Sequence, residues 1–292
     1  MKIKVSHLTK AYGTTDALQD ISFQVPDGQI FGIIGPDGAG KTTLFRILAT
    51  LLLPNSGTAT IAGFDTIKDY KKIRNIIGYM PGRFSLYQDL SVIENLELFA
   101  TAYHSNIREN YHLIKDIYQQ IEPFNDRMAG KLSGGMKQKL ALCCALIHKP
   151  EVLFLDEPTT GVDAVSRKEF WEMLRKLKDQ GITILVSTPY MDEASLCDCI
   201  ALIQNGTFLH IDTPGKIIDS FPKRLYAIEG DQRTQNLQQL RNNPYIDSVY
   251  LYGDRMHLTF KEDPDPHLPE VVLVTPSVED CFIWLMKKDS YE

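Results

Sequence analysis

The sequence lacks an apolar run long enough to cross a membrane. The apolar stretch at residues 44–53 is interrupted by Arg46 and Thr50, and it falls well short of the roughly 20 residues that a transmembrane helix needs. The first ten residues, MKIKVSHLTK, contain no apolar core of the kind found in secretion signals. These absences predict a cytoplasmic chain whose membrane role, if it has one, depends on a separate membrane partner.

Positive charge and cysteine are also scarce. The chain has 31 Lys and Arg against 37 Asp and Glu, a formal net charge of -6, which argues against a protein that binds nucleic acid through a basic face. Its five cysteines fit a reducing compartment. Cys197 and Cys199 form a C-x-C pair, but no second pair with zinc-like spacing is near. We therefore expect no nucleic-acid partner and no zinc site.

The first motif that is present follows a buried strand. Residues 30–34 carry no polar side chain, as expected of a strand buried on both faces. GPDGAGKT follows at residues 35–42 and residues 43–53 look helical, which is the strand–loop–helix context that G-x-x-x-x-G-K-S/T requires.

The chemistry of this phosphate loop follows from its spacing. Backbone N–H groups would converge on phosphates, and Lys41 would place a cation against the β and γ oxygens. The Thr42 hydroxyl would then be in position to bind Mg²⁺. The predicted cofactor-binding residues of the loop are Gly35, Pro36, Asp37, Gly38, Ala39, Gly40, Lys41, Thr42 and Thr43.

A second glycine motif, LSGGMKQ, occupies residues 132–138 and is called the signature run below. Ser133 and the two glycines after it put a hydroxyl and accessible N–H groups at the start of a helix, where the helix dipole favours an anion. Gly134 and Gly135 have no Cβ to keep a phosphate away from the backbone. The alternative interpretation is a serine–glycine turn that only caps a helix.

Acidic side chains follow the next buried strand. Residues 152–155 are apolar, and Asp156 and Glu157 lie at the carboxyl end of that strand. Ligands bind at this edge of α/β sheets. Asp163 caps a helix that Gly181 ends, and residues 182–187 form another buried strand.

With these motifs in this order, residues 1 to about 220 resemble the nucleotide-binding subunit of an ATP-binding cassette (ABC) transporter. The resemblance implies an α/β P-loop NTPase cassette, with a mixed sheet core, an antiparallel β subdomain and a helical subdomain. It assigns the cassette to residues 1–221, with the helical subdomain at about 83–150. Residues 222–292 look like a small α+β accessory domain.

The subclass and the partners also follow from the resemblance. GPDGAGKTT at residues 35–43, and TPSVED at residues 275–280 before an apolar helix, look most like ATPases of ABC-2-type exporters. The resemblance implies ATP and Mg²⁺ as cofactors and transmembrane permease subunits as partners. It places the chain on the cytoplasmic face of the cell membrane.

The resemblance also implies roles for residues at positions that match the family's motifs. Tyr12 matches an aromatic that stacks on adenine; otherwise it is a turn tyrosine. Asp156 would hold Mg²⁺, directly or through water, and Glu157 would be the general base for the attacking water. Residues 85–89 would dock a permease helix or form a plain exposed loop. Ser133, Gly134, Gly135 and Gln138 would close over ATP on another subunit, and Asp163 would lie in the inter-subunit loop.

Two positions depart from the family pattern. The family normally has Gln after residues 77–81 and His after residues 184–188, where this chain has Gly82 and Pro189. Neither residue offers a polar side chain, and Pro lacks even its N–H. Loss of one positioned polar group typically costs about 10²–10³ in rate, although two such costs need not multiply. Either change alone could be drift or an alignment slip. Together they favour a weakened site.

These departures predict a heterodimer with a second ATPase subunit that keeps both side chains, while a homodimer stays possible. One rival function is a regulatory subunit that binds ATP without cleaving it, which Gly82 and Pro189 favour and Glu157 opposes. Another is a soluble ABC protein that acts on ribosomes or DNA. The acidic charge opposes that rival, as does the lack of a second cassette or a long coiled-coil insert.

Overall fold

The computed structural model describes residues 1–229, 233–262 and 271–289. The chain divides into two compact units, residues 1–214 and 215–292, compared with a boundary after residue 221 in the sequence-based division. Within the described ranges, no helix combines the length and the apolar character that a membrane crossing requires.

The first unit alternates strands and helices. Its strands are β1 (Ile3–Tyr12), β2 (Thr15–Val25), β3 (Ile30–Ile34), β4 (Ser56–Ile61), β5 (Phe64–Asp65), β6 (Ile77–Met80), β7 (Val152–Asp156), β8 (Thr183–Thr188), β9 (Cys199–Gln204) and β10 (Thr207–Asp212). Its α-helices are α1 (Lys41–Leu48), α2 (Tyr70–Ile76), α3 (Val92–Ala102), α4 (Tyr111–Tyr118), α5 (Gly134–Leu146) and α6 (Ala164–Asp179). Short 3₁₀ helices span Glu122–Phe124, Ala129–Lys131 and Met191–Leu196.

Two sheets organise this unit. The antiparallel sheet has the order β2-β1-β4-β5, and the larger sheet has the order β10-β9-β3-β8-β7-β6. In the larger sheet, β6, β7, β8, β3 and β9 run parallel and β10 is antiparallel. Every residue of β3, β7 and β8 is buried, as expected of central parallel strands. The predicted α/β class is confirmed.

The parallel register brings the carboxyl ends of three strands to one edge. Ile34, the last residue of β3, pairs with Thr188, the last residue of β8. Asp156, the last residue of β7, pairs with Ser187. The phosphate loop, the acidic pair and Pro189 therefore all leave the sheet at the edge where ligands gather.

Helix α1 anchors the phosphate loop to the core. Leu44, Phe45 and Leu48 are fully buried, and the Phe45 ring meets the Phe154 ring edge-on at a centroid distance of 6.3 Å. The predicted helical run to residue 53 is wrong at its end. The chain turns at Thr50, which has a left-handed φ of 60°, a conformation that a helix interior does not allow.

The second unit is built on an antiparallel sheet. Its strands are β11 (Leu225–Glu229), β12 (Ile246–Tyr252), β13 (Arg255–Phe260) and β14 (Val272–Val274), in the order β12-β13-β11-β14. Helices α7 (Pro214–Asp219), α8 (Arg233–Arg241) and α9 (Val278–Asp289) complete the chain. Buried apolar residues on β12 and β13, such as Val249 and Leu258, form a core of their own.

Candidate nucleotide-binding site

The phosphate loop has a backbone that only glycine accommodates at key positions. Gly38 and Gly40 have φ values of 80° and 105°, which side chains with a Cβ rarely adopt. A Cβ at Gly40 would collide with the carbonyl oxygen of Ala17. Gly40 is also the N-cap of α1 and provides no side-chain cap. The first backbone N–H groups of α1 are therefore left to a ligand rather than to a capping side chain.

Lys41 lies at the centre of this loop. It is 3% exposed, and its Nζ donates to the carbonyl oxygens of Gly35 and Pro36, both at 2.8 Å. The same Nζ lies 3.0 Å from Glu157 Oε1. A buried ammonium requires such partners because desolvation without them is costly. The cation is thus held inside the loop, beside the acidic pair.

Asp156 is 1% exposed at the end of β7. Ser187 Oγ donates to Asp156 Oδ1 at 2.7 Å. Burial raises the pKa of Asp156 and the charge of Glu157 adds to this effect, while hydrogen bonds from the Ser187 and Thr42 hydroxyls oppose it. Thr42 and Asp156 therefore bring two oxygen donors together.

This donor set fits Mg²⁺. Hydroxyl and carboxylate oxygens are its usual ligands, and Mg²⁺ commonly takes only one or two protein groups and completes its shell with water and substrate phosphates. Within the described residues there is no cluster of three or more His, Cys, Asp or Glu that would form an all-protein metal cage. The site therefore suits a cation that arrives with a phosphate ligand.

Glu157 has an unusual backbone conformation. Its φ is 51°, which is uncommon for a residue other than glycine and is often found at functional sites. Its N–H donates to the carbonyl oxygen of Ser187 at 3.1 Å and to Ser187 Oγ at 2.9 Å. These bonds hold the Glu157 backbone, and its carboxylate contacts Lys41.

Ser187 was not singled out by the sequence analysis, which treated residues 182–187 only as a strand. It is fully buried and touches both members of the acidic pair. A signal was present, because Ser187 interrupts an apolar run on a strand that pairs with the Asp156 strand. The pairing of the strands, however, cannot be read from local pattern.

Of the two departures from the family pattern, Gly82 adjoins the acidic pair and Pro189 follows the strand that pairs with the Asp156 strand. A Cβ built on Gly82 would lie 3.0 Å from the carbonyl oxygen of Asp156 and 3.7 Å from Glu157 Cβ. Pro189 follows directly on Thr188, the last residue of β8. Neither neighbour therefore presents a hydrogen-bonding side chain to Asp156 or Glu157.

The signature run lies apart from this cluster. Ser133 is the N-cap of α5 and its Oγ accepts the N–H of Met136 at 3.4 Å. A Cβ on Gly135 would lie 2.7 Å from Ser166 Oγ, so the run packs beside the start of α6. Gln138 lines a cavity of about 40 Å³ between the loop after β6 and helices α3 and α5.

Asp163 caps α6 next to the signature run. Its carboxylate accepts the N–H groups of Val165 and Ser166, at 3.1 and 3.0 Å, and the Ser166 hydroxyl at 2.8 Å. In the part of the chain that the structure describes, no hydrogen bond or ion pair joins Ser133, Gly134, Gly135, Gln138 or Asp163 to Lys41, Asp156 or Glu157. Within the described residues, the two predicted groups of site residues therefore share no direct bond.

The remaining predicted positions are Tyr12 and residues 85–89. Tyr12 ends β1 and is 47% exposed. Lys10 Nζ lies over its ring, 5.6 Å from the ring centre. In residues 85–89, Leu86 is buried and Tyr87 is 59% exposed. The Asn95 side chain pins this loop by bonding to both the N–H and the carbonyl of Tyr87.

A buried ion pair, also missed by the sequence analysis, braces the segment after Pro189. Glu193 is 2% exposed and accepts from Thr159 Oγ1 and Arg167 Nε, both at 3.1 Å. The Arg167 guanidinium stacks on the Tyr190 ring at 4.2 Å. These contacts tie together three parts of the chain: Thr159 just after the acidic pair, helix α6, and the 3₁₀ helix after β8.

Comparisons with known proteins give one consistent family. The family model described as "ABC transporter" matches residues 18–160. The chain is 38% identical over 97% of its length to the probable multidrug ABC transporter ATP-binding protein YbhF of Escherichia coli (strain K12). It covers 52% of that protein, so it spans about half the length of this relative.

Another relative matches over nearly its whole length. The chain is 32% identical to the Nod factor export ATP-binding protein I of Rhizobium sp. (strain N33), over 98% of this chain and 97% of that protein. Among solved structures, a dimeric post-hydrolysis state of the ATP-binding cassette MJ0796 bound to ADP and Pi has a TM-score of 0.66 and 26% identity. That match covers 72% of this chain and 98% of the cassette.

Proposed function

Because this chain belongs to the ATP-binding proteins of the ABC transporter family, we propose that it binds MgATP at its phosphate loop and powers a membrane exporter by hydrolysing it. The observation that carries this proposal is the buried Lys41, held between the loop carbonyls and Glu157 at the sheet edge that also carries Asp156. Such an arrangement offers a cation and backbone donors to phosphates, and a carboxylate to the attacking water.

Each residue of the site then has a defined task. The N–H groups of the phosphate loop and Lys41 bind the β and γ phosphates. Thr42 and Asp156 hold Mg²⁺, which neutralises charge that develops on the phosphate oxygens. Glu157 accepts the proton of the attacking water. Tyr12 offers an exposed ring on which adenine can stack.

The signature run serves a second subunit. Within the described residues, no hydrogen bond or ion pair joins it to Lys41, Asp156 or Glu157. This supports a dimer in which Ser133, Gly134, Gly135 and Gln138 complete the partner's site. The dimeric form of the similar MJ0796 cassette supports the same arrangement. Gly82 and Pro189 favour a heterodimer with an ATPase that keeps polar side chains at both positions, while a homodimer is the alternative.

The roles in export and at the membrane are proposed from the names of the relatives. Nod factor export ATP-binding protein I is an export component by name, and YbhF is named for a multidrug transporter. We place residues 85–89 against transmembrane permease subunits, on the cytoplasmic face of the cell membrane. Residues 1–221, with a helical subdomain at about 83–150, form the ATPase domain in this proposal, and residues 222–292 form an accessory domain.

ATP binding by the purified chain tests the proposal. We expect Lys41→Ala to reduce the affinity for MgATP strongly, because the loop loses the cation that faces the phosphates. Lys168→Ala is the matched control, since Lys168 is exposed on α6, and we expect it to bind as the wild type does. Equal MgATP affinity in Lys41→Ala and the wild type would refute the site.

A second function has support from two residues. With Gly82 beside the acids and Pro189 after β8, a chain that binds MgATP but does not turn it over would be a regulatory subunit. Steady-state turnover distinguishes the two functions. Measurable hydrolysis that disappears in Glu157→Gln supports the enzyme, whereas binding without hydrolysis in any pairing supports the regulator.

A further inference from the structure

We propose that Ser187 is a positioning residue that holds Asp156 and Glu157 in the orientation needed for Mg²⁺ and the attacking water. This inference rests on the proposed function. It concerns a residue outside the phosphate loop, the acidic pair and the signature run.

One hydroxyl connects both acids. Ser187 Oγ donates to Asp156 Oδ1 at 2.7 Å and accepts the N–H of Glu157 at 2.9 Å. All three participants lie at the ends of adjacent parallel strands, where Ser187 is directly paired with Asp156. Ser187 therefore fixes the side-chain rotation of one acid and the backbone of the other with the same atom.

Glu157 needs this support because of its backbone. A residue with a Cβ at a φ of 51° persists only where its surroundings hold it there. Ser187 accepts the Glu157 N–H twice, through its hydroxyl and through its carbonyl oxygen. Without the hydroxyl, the Glu157 N–H loses one of its two acceptors, and the orientation of the Glu157 carboxylate becomes less defined.

Positions 82 and 189 have no polar side chain, which makes the hydrogen bonds of Ser187 to the acidic pair more important. Gly82 adjoins the carbonyl of Asp156 and Pro189 follows β8, and neither has a side chain that can bond to a carboxylate. Ser187 is fully buried, so water does not compete for its hydroxyl. Thr42 and Lys41 contact the acids from the phosphate loop, and Ser187 orients them from the sheet.

The test compares Ser187→Ala with the wild type in MgATP binding and in turnover. Loss of a group that orients a metal ligand typically costs about 10–100-fold in metal affinity or activity. We expect the Mg²⁺ concentration for half-maximal enhancement of ATP binding to rise by about tenfold or more. ATP affinity without metal is expected to stay unchanged. Mn²⁺ bound with ATP, observed by electron paramagnetic resonance, gives the same readout without turnover.

A merely structural role would give a different result. It would lower the unfolding temperature of Ser187→Ala and leave the Mg²⁺ requirement and kcat of the folded protein at wild-type values, which would overturn the proposal. Ser187→Thr keeps a hydroxyl and is expected to restore both quantities. Failure of Ser187→Thr to restore them, with Ser187→Ala impaired, would indicate packing and would also overturn it.

Two controls complete the design. Ser248 carries a buried hydroxyl 2.9 Å from Thr259 Oγ1 on β12 and β13, and Ser248→Ala is expected to keep the wild-type Mg²⁺ requirement. If Ser187→Ala does not fold, Ser187→Cys replaces it, because its thiol is a weaker donor. A wild-type Mg²⁺ requirement in Ser187→Cys would then overturn the proposal.

Failure of this inference is distinguishable from failure of the proposed function. If Lys41→Ala loses MgATP binding while Ser187→Ala keeps the wild-type Mg²⁺ requirement, only the role of Ser187 is wrong. If Lys41→Ala also binds MgATP normally, the site itself is wrong and the role of Ser187 falls with it.

Discussion

At the scale of single residues, the contact between Lys41 and Glu157 has the clearest consequence. Lys41 is almost fully buried and lies 3.0 Å from Glu157 Oε1. A phosphate that enters the loop brings negative charge to the same ammonium, so the nucleotide and Glu157 compete for it. The contact would thus couple Glu157, the general base in the proposed mechanism, to the occupancy of the loop.

Glu157→Gln tests this coupling. The variant removes the competing charge but keeps the size of the side chain, so we expect MgATP to bind at least as tightly as in the wild type. Turnover is expected to fall by about 10²–10⁴-fold, the usual contribution of a general base. Titration with MgATP and a turnover assay measure the two effects. Weaker binding in Glu157→Gln would show that Glu157 supports the loop rather than competing with the phosphate.

At the scale of elements, Asp280 organises the start of α9. It is fully buried, and its carboxylate accepts from Tyr250, His257 and Ser277 at distances of 2.6–2.7 Å. Ser277 in turn accepts the Asp280 N–H at 3.2 Å, as in a capping box. The TPSVED segment at residues 275–280, noted in the sequence as a subclass marker, therefore has a physical role in joining β12 and β13 to α9.

Removing this carboxylate should destabilise the second unit. Asp280→Ala leaves buried donors unpaired, and we expect a loss of about 2–4 kcal/mol in the free energy of unfolding. Asp254→Ala is the matched control, because the Asp254 carboxylate is 82% exposed, and its effect should stay within about 0.5 kcal/mol. Urea unfolding monitored by tryptophan fluorescence measures both. Similar unfolding midpoints for the two variants would contradict this role.

The lowered pKa of Asp280 predicts that the stability of the protein depends on pH. Hydrogen bonds from Ser277, His257 and Tyr250 hold the pKa of Asp280 below its ordinary value of 3.8, against the effect of burial. A carboxyl with a lowered folded-state pKa contributes stability above its unfolded pKa and loses it as the pH falls through the folded value. We expect the stability difference between the wild type and Asp280→Asn to shrink below about pH 4. A difference that is constant from pH 7 to pH 3 would contradict this.

At the scale of the whole molecule, the sequence predicts the strands and loops that are recognisable from a continuous stretch of the chain. The strand at residues 30–34, the loop after it and the strand before Asp156 are recognisable because each is continuous in the chain. The α/β class follows from them. The roles of the site residues stay predictions, although Lys41, Asp156 and Glu157 do lie together at one sheet edge.

Contacts between distant segments are what the sequence does not reveal. Ser187 reaches Asp156 across 31 positions, and Arg167 reaches Glu193 across 26 positions. The first contact depends on which strands become neighbours, and the second depends on where α6 packs against the 3₁₀ helix after β8. The end of α1 was missed for a different reason, because the apolar run to residue 53 gives no sign that Thr50 turns the chain. Arg74, 24 positions away, binds the Thr50 carbonyl and hydroxyl.

Assembly is also predicted at this scale. In the heterodimer hypothesis, the purified wild-type chain stays monomeric with MgATP. The Glu157→Gln variant, which should retain the nucleotide, stays monomeric as well. Mixing it with the partner ATPase should then produce a dimer. Size-exclusion chromatography with light scattering measures the mass. A dimer formed by this chain alone would refute the heterodimer and favour the symmetric arrangement.

The most direct test is steady-state ATP turnover by the chain and by the Gly82→Gln/Pro189→His double variant, each measured as its own dimer if it forms one, and otherwise assembled with a partner ATPase whose general base is changed to Gln. Position 82 tolerates a Cβ only if the Asp156 carbonyl, 3.0 Å away, shifts slightly, so binding of MgATP is checked in both proteins. We expect the wild type to bind MgATP and turn it over slowly. The double variant should be faster by about 10²-fold, since each restored group orients reacting atoms. Equal rates in the two proteins, with both binding MgATP, would contradict a weakened site.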